Sequence, residues 1–315
     1  MKYSVVIPVY KNEASIARLF EVLTELNRNL NEQLEAVFVV DGSPDQSYRL
    51  IREALHSLNF PAKLLAHSRN FGSFSAIRTG LKVAQGEYFG VMAADLQEPP
   101  ELLETFFAAL SNGECDVAIG TRARRNDPFM SRLASRLFWW FYRRLVVADI
   151  PEGGVDVFGC NRQFKDQLLS LEESRSSLIA LIFWLGYERK FVNYERMTRM
   201  EDKSAWTLSK KVDYMMDSIF AFTDYPIRLL MRIGAIGSLF SLVFGTVIFF
   251  ARLAGVIEVP GYAATLLVVL TLGALNLFGL GLVGSYAWRG YENSKRRPLA
   301  IVASSMSNEH TPSEQ

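Results

Sequence analysis

Apolar residues near the amino terminus come in short runs: Ser4–Val9, Glu35–Val40, Ala62–His67, Tyr88–Ala93 and Asp116–Gly120. Runs of this length, rich in Val, Ile, Leu and Phe, predict buried β-strands. Between them the spacing changes to the helical period. Glu13–Leu30 places Ile16, Leu19, Phe20, Leu23 and Leu26 three or four apart, and Tyr48–Leu58, Phe74–Ala84 and Pro100–Leu110 are predicted helices as well. The alternation predicts an α/β fold whose mostly parallel sheet is covered on both faces. Ligands of such sheets bind beyond the carboxyl ends of the strands. Asp41 and Asp95 fall there.

The pattern changes after the fifth strand. Phe129–Val147 mixes arginines with an aromatic cluster around Phe138-Trp139-Trp140-Phe141-Tyr142. Two readings stay open for it: a helix lying in a membrane interface, or one packed on the protein's own core with its arginines exposed. Ser209–Tyr225 is a second amphipathic stretch. Ile233–Ala251 and Tyr262–Trp288 then run without an acidic or basic residue, and each exceeds or nears the ~20 residues that span a hydrocarbon core. A short link containing Pro260-Gly261 joins them, which predicts a transmembrane hairpin. Arg228, Arg232, Arg289, Lys295, Arg296 and Arg297 flank its outer ends. By the positive-inside rule both termini face the cytoplasm, and the chain is expected to be a multi-pass protein of the inner (cytoplasmic) membrane.

The expected organisation is a domain over residues 1–208 that includes the 129–147 segment, a juxtamembrane helix over 209–232, and the hairpin over 233–288. A tail over 289–315 is expected to be disordered from Ser304 on. Composition agrees. Half of the 315 residues are apolar, the mean hydropathy of +0.11 is high for a soluble α/β domain, and the excess lies beyond Arg228. The amino terminus enters a proline-interrupted strand at once and does not read as a signal peptide. A net charge of +1 argues against a general nucleic-acid binder. Cys115 and Cys160 lie far apart and match no metal-ligand spacing.

The chemical signal is the pair of strand-end carboxylates. Asp41, in Val40-Asp41-Gly42-Ser43, opens a loop where it could accept a hydrogen bond from a nucleobase or ribose. Asp95, in Ala93-Ala94-Asp95-Leu96-Gln97-Glu98, stands where a carboxylate can hold Mg²⁺ or Mn²⁺ against a diphosphate, because hard cations prefer oxygen. Alone, an aspartate in such a place is more often a helix cap or turn former than a ligand. Together, after separate strands of one sheet, they point to a site.

The motifs Ser4–Glu13, Val40–Asp45, Ser68-Arg69-Asn70-Phe71-Gly72, Ala94–Pro100 and Gly120-Thr121-Arg122 occur in an ordered set. In that order and spacing the chain resembles the family 2 glycosyltransferases of the polyprenyl-phosphate type. That group includes dolichol-phosphate mannose synthase and bacterial undecaprenyl-phosphate sugar transferases. Weaker similarity runs through Lys203-Ser204-Ala205-Trp206 to Asp224–Arg228.

The resemblance implies a GT-A fold and inverting transfer of a sugar from a nucleotide-sugar, of the UDP type, to a polyprenyl phosphate at the cytoplasmic membrane face. It places Pro8, Tyr10, Glu13, Asp41 and Asn70 around the nucleotide, and Asp95 and Gln97 at the diphosphate and its Mg²⁺ or Mn²⁺. Arg122, Arg136 and Lys203 would meet the acceptor phosphate. Anchored relatives imply a homo-oligomer. The chain departs from the family in one respect that matters: Ala93 replaces the first carboxylate of the common Asp-x-Asp, leaving Asp95 to hold the metal. Two rivals stand beside this reading, a transferase with another membrane acceptor and a catalytically silent membrane scaffold. No Gln-x-x-Arg-Trp sequence of the processive kind is present.

Overall fold

The structure is a computed structural model. It describes residues 1–122, 142–144, 150–151, 155, 157–173, 177–195, 208–254 and 261–308. The chain divides into two compact units, Met1–Val212 with Arg297–Gln315, and Asp213–Arg296.

In the first unit the strands are β1 (Tyr3–Val9), β2 (Leu34–Val40), β3 (Ala62–His67), β4 (Tyr88–Val91), β5 (Val117–Arg122), β6 (Phe158–Asn161), β7 (Arg189–Tyr194) and β8 (Val302–Ser307). The helices are α1 (Ile16–Asn29), α2 (Ser47–Ala54), α3 (Ser73–Val83), α4 (Glu101–Ser111), α5 (Arg162–Ser170) and α6 (Leu178–Trp184). Among the described residues the strands form one sheet in the order β7-β5-β6-β4-β1-β2-β3-β8. β1, β2, β3 and β4 run parallel. β6 lies antiparallel between β4 and β5, and β8 pairs antiparallel with β3. The sheet is therefore mixed, and the short strands that break its parallel run come from sequence without strong alternation.

Strand periodicity divides the core. Val5, Ile7 and Val9 of β1 join Ala36, Phe38 and Val40 of β2 in the cluster that packs on Leu19, Phe20 and Leu23 of α1. The alternate residues Val6, Val37 and Val39 are equally buried and face the α3 side, where Ala76, Ile77 and Leu81 close the layer. Both faces are covered, which is why the strands read as continuous apolar runs. At the amino-terminal end of the sheet the buried Glu35 carboxylate accepts from Ser4 Oγ (2.5 Å), Lys63 Nζ (2.9 Å) and the Gln85 N–H (2.7 Å). This polar knot joins three strands, and each partner removes part of the cost of burying the charge.

Pro8 sits in a central strand, where a proline would ordinarily cost a ladder bond. In β1 the even-numbered residues point toward β4: the Val6 carbonyl accepts from Met92 N–H, and the Lys2 carbonyl from Tyr88 N–H. The register with β4 ends at Val6↔Val91. Pro8 therefore points to the side where β4 has already turned away, and no partner is lost. The two strands part at that position.

The carboxyl-terminal tail differs from expectation. Disorder was expected from Ser304, yet Val302–Ser307 forms β8 on the free edge of β3. The Asn308 side chain pins it, accepting from Ala62 N–H (2.6 Å) and donating to the carbonyls of Leu55, Leu58 and Phe60. A polar, small-residue segment has no apolar face to announce a strand. An unpaired sheet edge supplies the missing hydrogen bonds.

In the second unit, α7 (Leu208–Phe222, its first turn in the other unit) is followed by α8 (Tyr225–Leu253) and α9 (Tyr262–Ser294). Arg289 pairs with Asp217 at 2.6 Å, and the Tyr286 hydroxyl donates to the Thr223 carbonyl. The helices are about 43 and 50 Å long at 1.5 Å per residue. Many of their large apolar side chains are exposed, including Ile236, Leu239, Phe240, Val243, Phe244, Leu277 and Phe278. Among the described residues, no helix is long and apolar enough to cross a membrane. The hairpin expected over 233–251 and 262–288 is thus present as two helices, without a demonstrated crossing.

Most of the expected 129–147 helix lies outside the described residues. Within it, Tyr142 is fully buried, with its hydroxyl directed at Ser177. At this position the chain packs on the protein itself.

Candidate active site

The strand order 3-2-1-4 reverses between β1 and β4, and a crevice at such a point is where open α/β sheets hold ligands. Three loops meet there, following β1, β2 and β4. They are laced together by their own polar groups. Lys11 N–H donates to Ser43 Oγ (2.7 Å) and Asn12 N–H to Ser47 Oγ (3.2 Å). Glu13 N–H donates to Asp45, while the Glu13 carboxylate accepts from Gln46 N–H (2.9 Å). Ser15 Oγ reaches across to the Ala94 carbonyl at 2.7 Å, tying the first loop to the Asp95 loop. Asp45 anchors this net. Burial pushes its carboxyl up, but hydrogen bonds from Ser43, Ser47 and the Glu13 backbone outweigh burial and hold it below its ordinary value.

The expected site residues separate into groups. Pro8, Tyr10 and Glu13 lie on β1 and the loop after it. Tyr10 is exposed at the crevice mouth, and Glu13 is engaged in the loop lacing. Asn70 is exposed on the loop after β3. Asp95 is half-buried and Gln97 is buried on the loop after β4. Leu96 between them has φ +52°, a left-handed conformation that is uncommon for a branched apolar residue. Such a turn marks backbone held by its surroundings. Arg122 ends β5 and is half-buried. With β6 between β5 and β4, it lies two strand spacings away, roughly 10 Å. Arg136 and Lys203 lie outside the described residues.

Asp41 has a different task from the one expected. Its side chain is almost wholly buried, and both carboxylate oxygens are engaged by the protein. Oδ1 accepts from Phe71 N–H (2.8 Å) and faces His67 Nδ1 (2.8 Å), and Oδ2 accepts from Gly72 N–H (2.7 Å). The carboxylate fastens the 68–72 loop to the end of β2. Gly42 makes that possible: its φ is +58°, and a Cβ there would stand 2.3 Å from the Arg69 carbonyl carbon and 2.4 Å from Asn70 N. Gly72, at φ +95°, completes the turn into α3.

Gln97 Oε1 is buried without a hydrogen-bond partner, an amide oxygen of the kind hard cations take. Among the described residues there is no cluster of three His, Cys, Asp or Glu that would hold a metal by itself. A cation here would therefore draw on Asp95, Gln97 and the oxygens of its ligand. Sequence reasoning missed three contributors. Ser15 bridges two loops, Glu98 is a buried carboxylate beside Gln97, and His67 ends a buried strand under Asp41. A polar residue closing the apolar run Leu64-Leu65-Ala66 was the available signal for His67.

Residues 4–170 match the family described as Glycosyl transferase family 2. The chain belongs to that family. The match runs from β1 to the end of α5 and takes in the crevice and its loops. The GT-A-type α/β fold with a mixed sheet accords with this membership. The protein is a glycosyltransferase, and its curated relatives extend over nearly the whole chain. It is 33% identical to a putative glycosyltransferase of Bacillus subtilis, over 95% of this chain and 90% of that one. It is 28% identical to the bactoprenol glucosyl transferase of Shigella phage SfV, over 96% and 98% of the two chains. It is 29% identical to the undecaprenyl-phosphate 4-deoxy-4-formamido-L-arabinose transferase of Aeromonas hydrophila, over 99% and 96%.

Proposed function

We propose that this glycosyltransferase moves a sugar, with inversion, from a UDP-sugar to a polyprenyl phosphate such as undecaprenyl phosphate at the cytoplasmic face of the membrane. The observation that carries the reading is the extent of similarity. Two relatives named for bactoprenol or undecaprenyl-phosphate transfer match through α8 and α9 as well as through the catalytic domain. The helical unit is thus part of what these proteins share. Its exposed apolar residues on α8 and α9 suit burial in a bilayer. The chain leaves the sheet domain before α8 and rejoins it at β8. With two spans, both ends of an inserted pair would lie on one face of the bilayer, where the flanking Arg228, Arg232, Arg289, Lys295, Arg296 and Arg297 favour the cytoplasm.

In this reading the laced loops after β1 and β2 and the exposed Asn70 take the nucleotide. Asp95 and Gln97 would hold Mg²⁺ or Mn²⁺, which when bound neutralises charge on the departing diphosphate. The acceptor phosphate is already an anion at neutral pH, so the chain need not supply a strong base. Its task is to align that phosphate with the anomeric carbon and to exclude water. Arg122, at the end of β5, would receive it, as the family resemblance implies.

The test is direct. The purified full-length protein in lipid nanodiscs is incubated with a panel of nucleotide-sugars, undecaprenyl phosphate and Mn²⁺, and the lipid product is read by mass. A glycosylated undecaprenyl phosphate is expected with one donor. Nucleotide release without that product would replace the acceptor. No release with any donor would leave the membrane-scaffold reading.

A further inference from the structure

We propose that His67 is a positioning residue of the donor site, acting through Asp41 on the 68–72 loop; the proposal rests on the nucleotide-sugar reading above. The imidazole is fully buried beneath that loop. Nδ1 lies 2.8 Å from Asp41 Oδ1, and Nε2 lies 3.0 Å from Thr79 Oγ1 on α3. The Phe71 ring meets the imidazole edge-on, with centroids 5.5 Å apart. An ionised carboxylate can only accept, so Nδ1 carries the proton. In the neutral ring Nε2 then accepts from the Thr79 hydroxyl. The three side chains form a chain from the end of β2, through the end of β3, to the second turn of α3.

The consequence falls on the loop. Asp41 uses its remaining lone pairs on Phe71 N–H and Gly72 N–H. Ser68 N–H is held by the Ile301 carbonyl, and Gly42 lies directly under Arg69 and Asn70. The loop backbone is therefore fixed from below, while Ser68, Arg69 and Asn70 are exposed. Exposed polar side chains on a backbone locked beforehand make a preorganised binding element, because little ordering remains when the ligand arrives. Imidazole is the member of this set that contacts Asp41, Thr79 and Phe71 at once. Without it the Asp41 carboxylate loses a donor in a buried place, and the loop loses its fixed register over the crevice.

The experiment compares wild type with His67→Ala, His67→Asn and Thr79→Val in the nanodisc transfer assay, with UDP binding measured by calorimetry in parallel. His67→Ala should raise the donor KM and the UDP Kd about tenfold and change kcat by less than about twofold, the pattern of lost uniform binding. Asparagine places an amide N–H where Nδ1 stands, so His67→Asn should recover most of the donor affinity. Thr79→Val should raise KM by roughly threefold. If His67→Ala does not fold, Thr79→Val decides. Donor KM and UDP Kd at wild-type values in His67→Ala, or in Thr79→Val where that variant decides, or a fall in kcat at constant KM, would overturn the proposal. Absence of transfer by the wild type would overturn the transferase reading instead, and the UDP affinities would still judge His67.

Discussion

Replacing Asn308 with alanine tests what holds the carboxyl-terminal strand on the sheet. β8 buries little: Ile301 and Val302 are largely exposed, and the strand alternates exposed with half-buried positions. Apolar burial therefore contributes little to keeping it in place, and the β3 ladder and Asn308 must do so. The side-chain amide, itself 9% exposed, donates to three carbonyls at 3.1, 3.3 and 3.1 Å and accepts from the buried Ala62 N–H at 2.6 Å. Two amide hydrogens serve three carbonyls, so the set counts as about three effective bonds. At a net ~1 kcal/mol each, Asn308→Ala should cost about 3 kcal/mol, the orphaned Ala62 N–H being the largest part. That corresponds to roughly a hundredfold rise in opening of the strand. Hydrogen exchange of the Val302–Ser307 amides reads this directly, since the segment can open without unfolding the domain. Asn308→Asp should be worse than alanine, because it sets a carboxylate against three carbonyls. Exchange rates within about threefold of wild type in Asn308→Ala would refute the reasoning.

Three other outcomes follow from the site. Gly42→Ala should lower stability by more than ~2 kcal/mol and weaken UDP binding, because left-handed strain adds to a Cβ 2.3 Å from the Arg69 backbone; chemical denaturation and calorimetry measure both effects. Asp45 has a folded pKa held below its unfolded value, so its contribution is fully present above the unfolded pKa and is lost as pH falls through the folded one. The melting-temperature gap between wild type and Asp45→Asn should therefore narrow below pH ~4; a gap independent of pH would contradict this. Asp95→Asn should abolish transfer while leaving the melting temperature within a few degrees of wild type, and activity of the wild type should vanish in EDTA and return with Mn²⁺. Near-normal turnover in Asp95→Asn would remove it from the site.

Much of this architecture was legible in one dimension. Val5–Val9 and Ala36–Val40 are apolar on both faces, and that property alone requires helices on both sides of a parallel sheet. Asp95 was singled out because a carboxylate just after a strand of such a sheet lies at its ligand-binding end, and Gln97 because of the family resemblance; the structure sets both on the loop after β4. The helical stretches over 233–251 and 262–288 were equally plain, since helix period is a local property, but their ends were not: the helices run over Tyr225–Leu253 and Tyr262–Ser294, and the helix expected over 209–232 ends at Phe222. Contacts distant in sequence were not legible. Nothing in Val302–Ser307 marks a strand, because its stability comes from an edge more than 230 residues earlier in the chain. Nothing near Asp41 shows that Phe71 and Gly72 would claim its carboxylate, and sequence chemistry assigned it to a ligand. Periodicity and strand-end position record what a residue's neighbours in the chain impose. Which donor reaches a given carboxylate, and which edge a polar tail completes, depend on how the chain folds back on itself, and only the tertiary structure decides them.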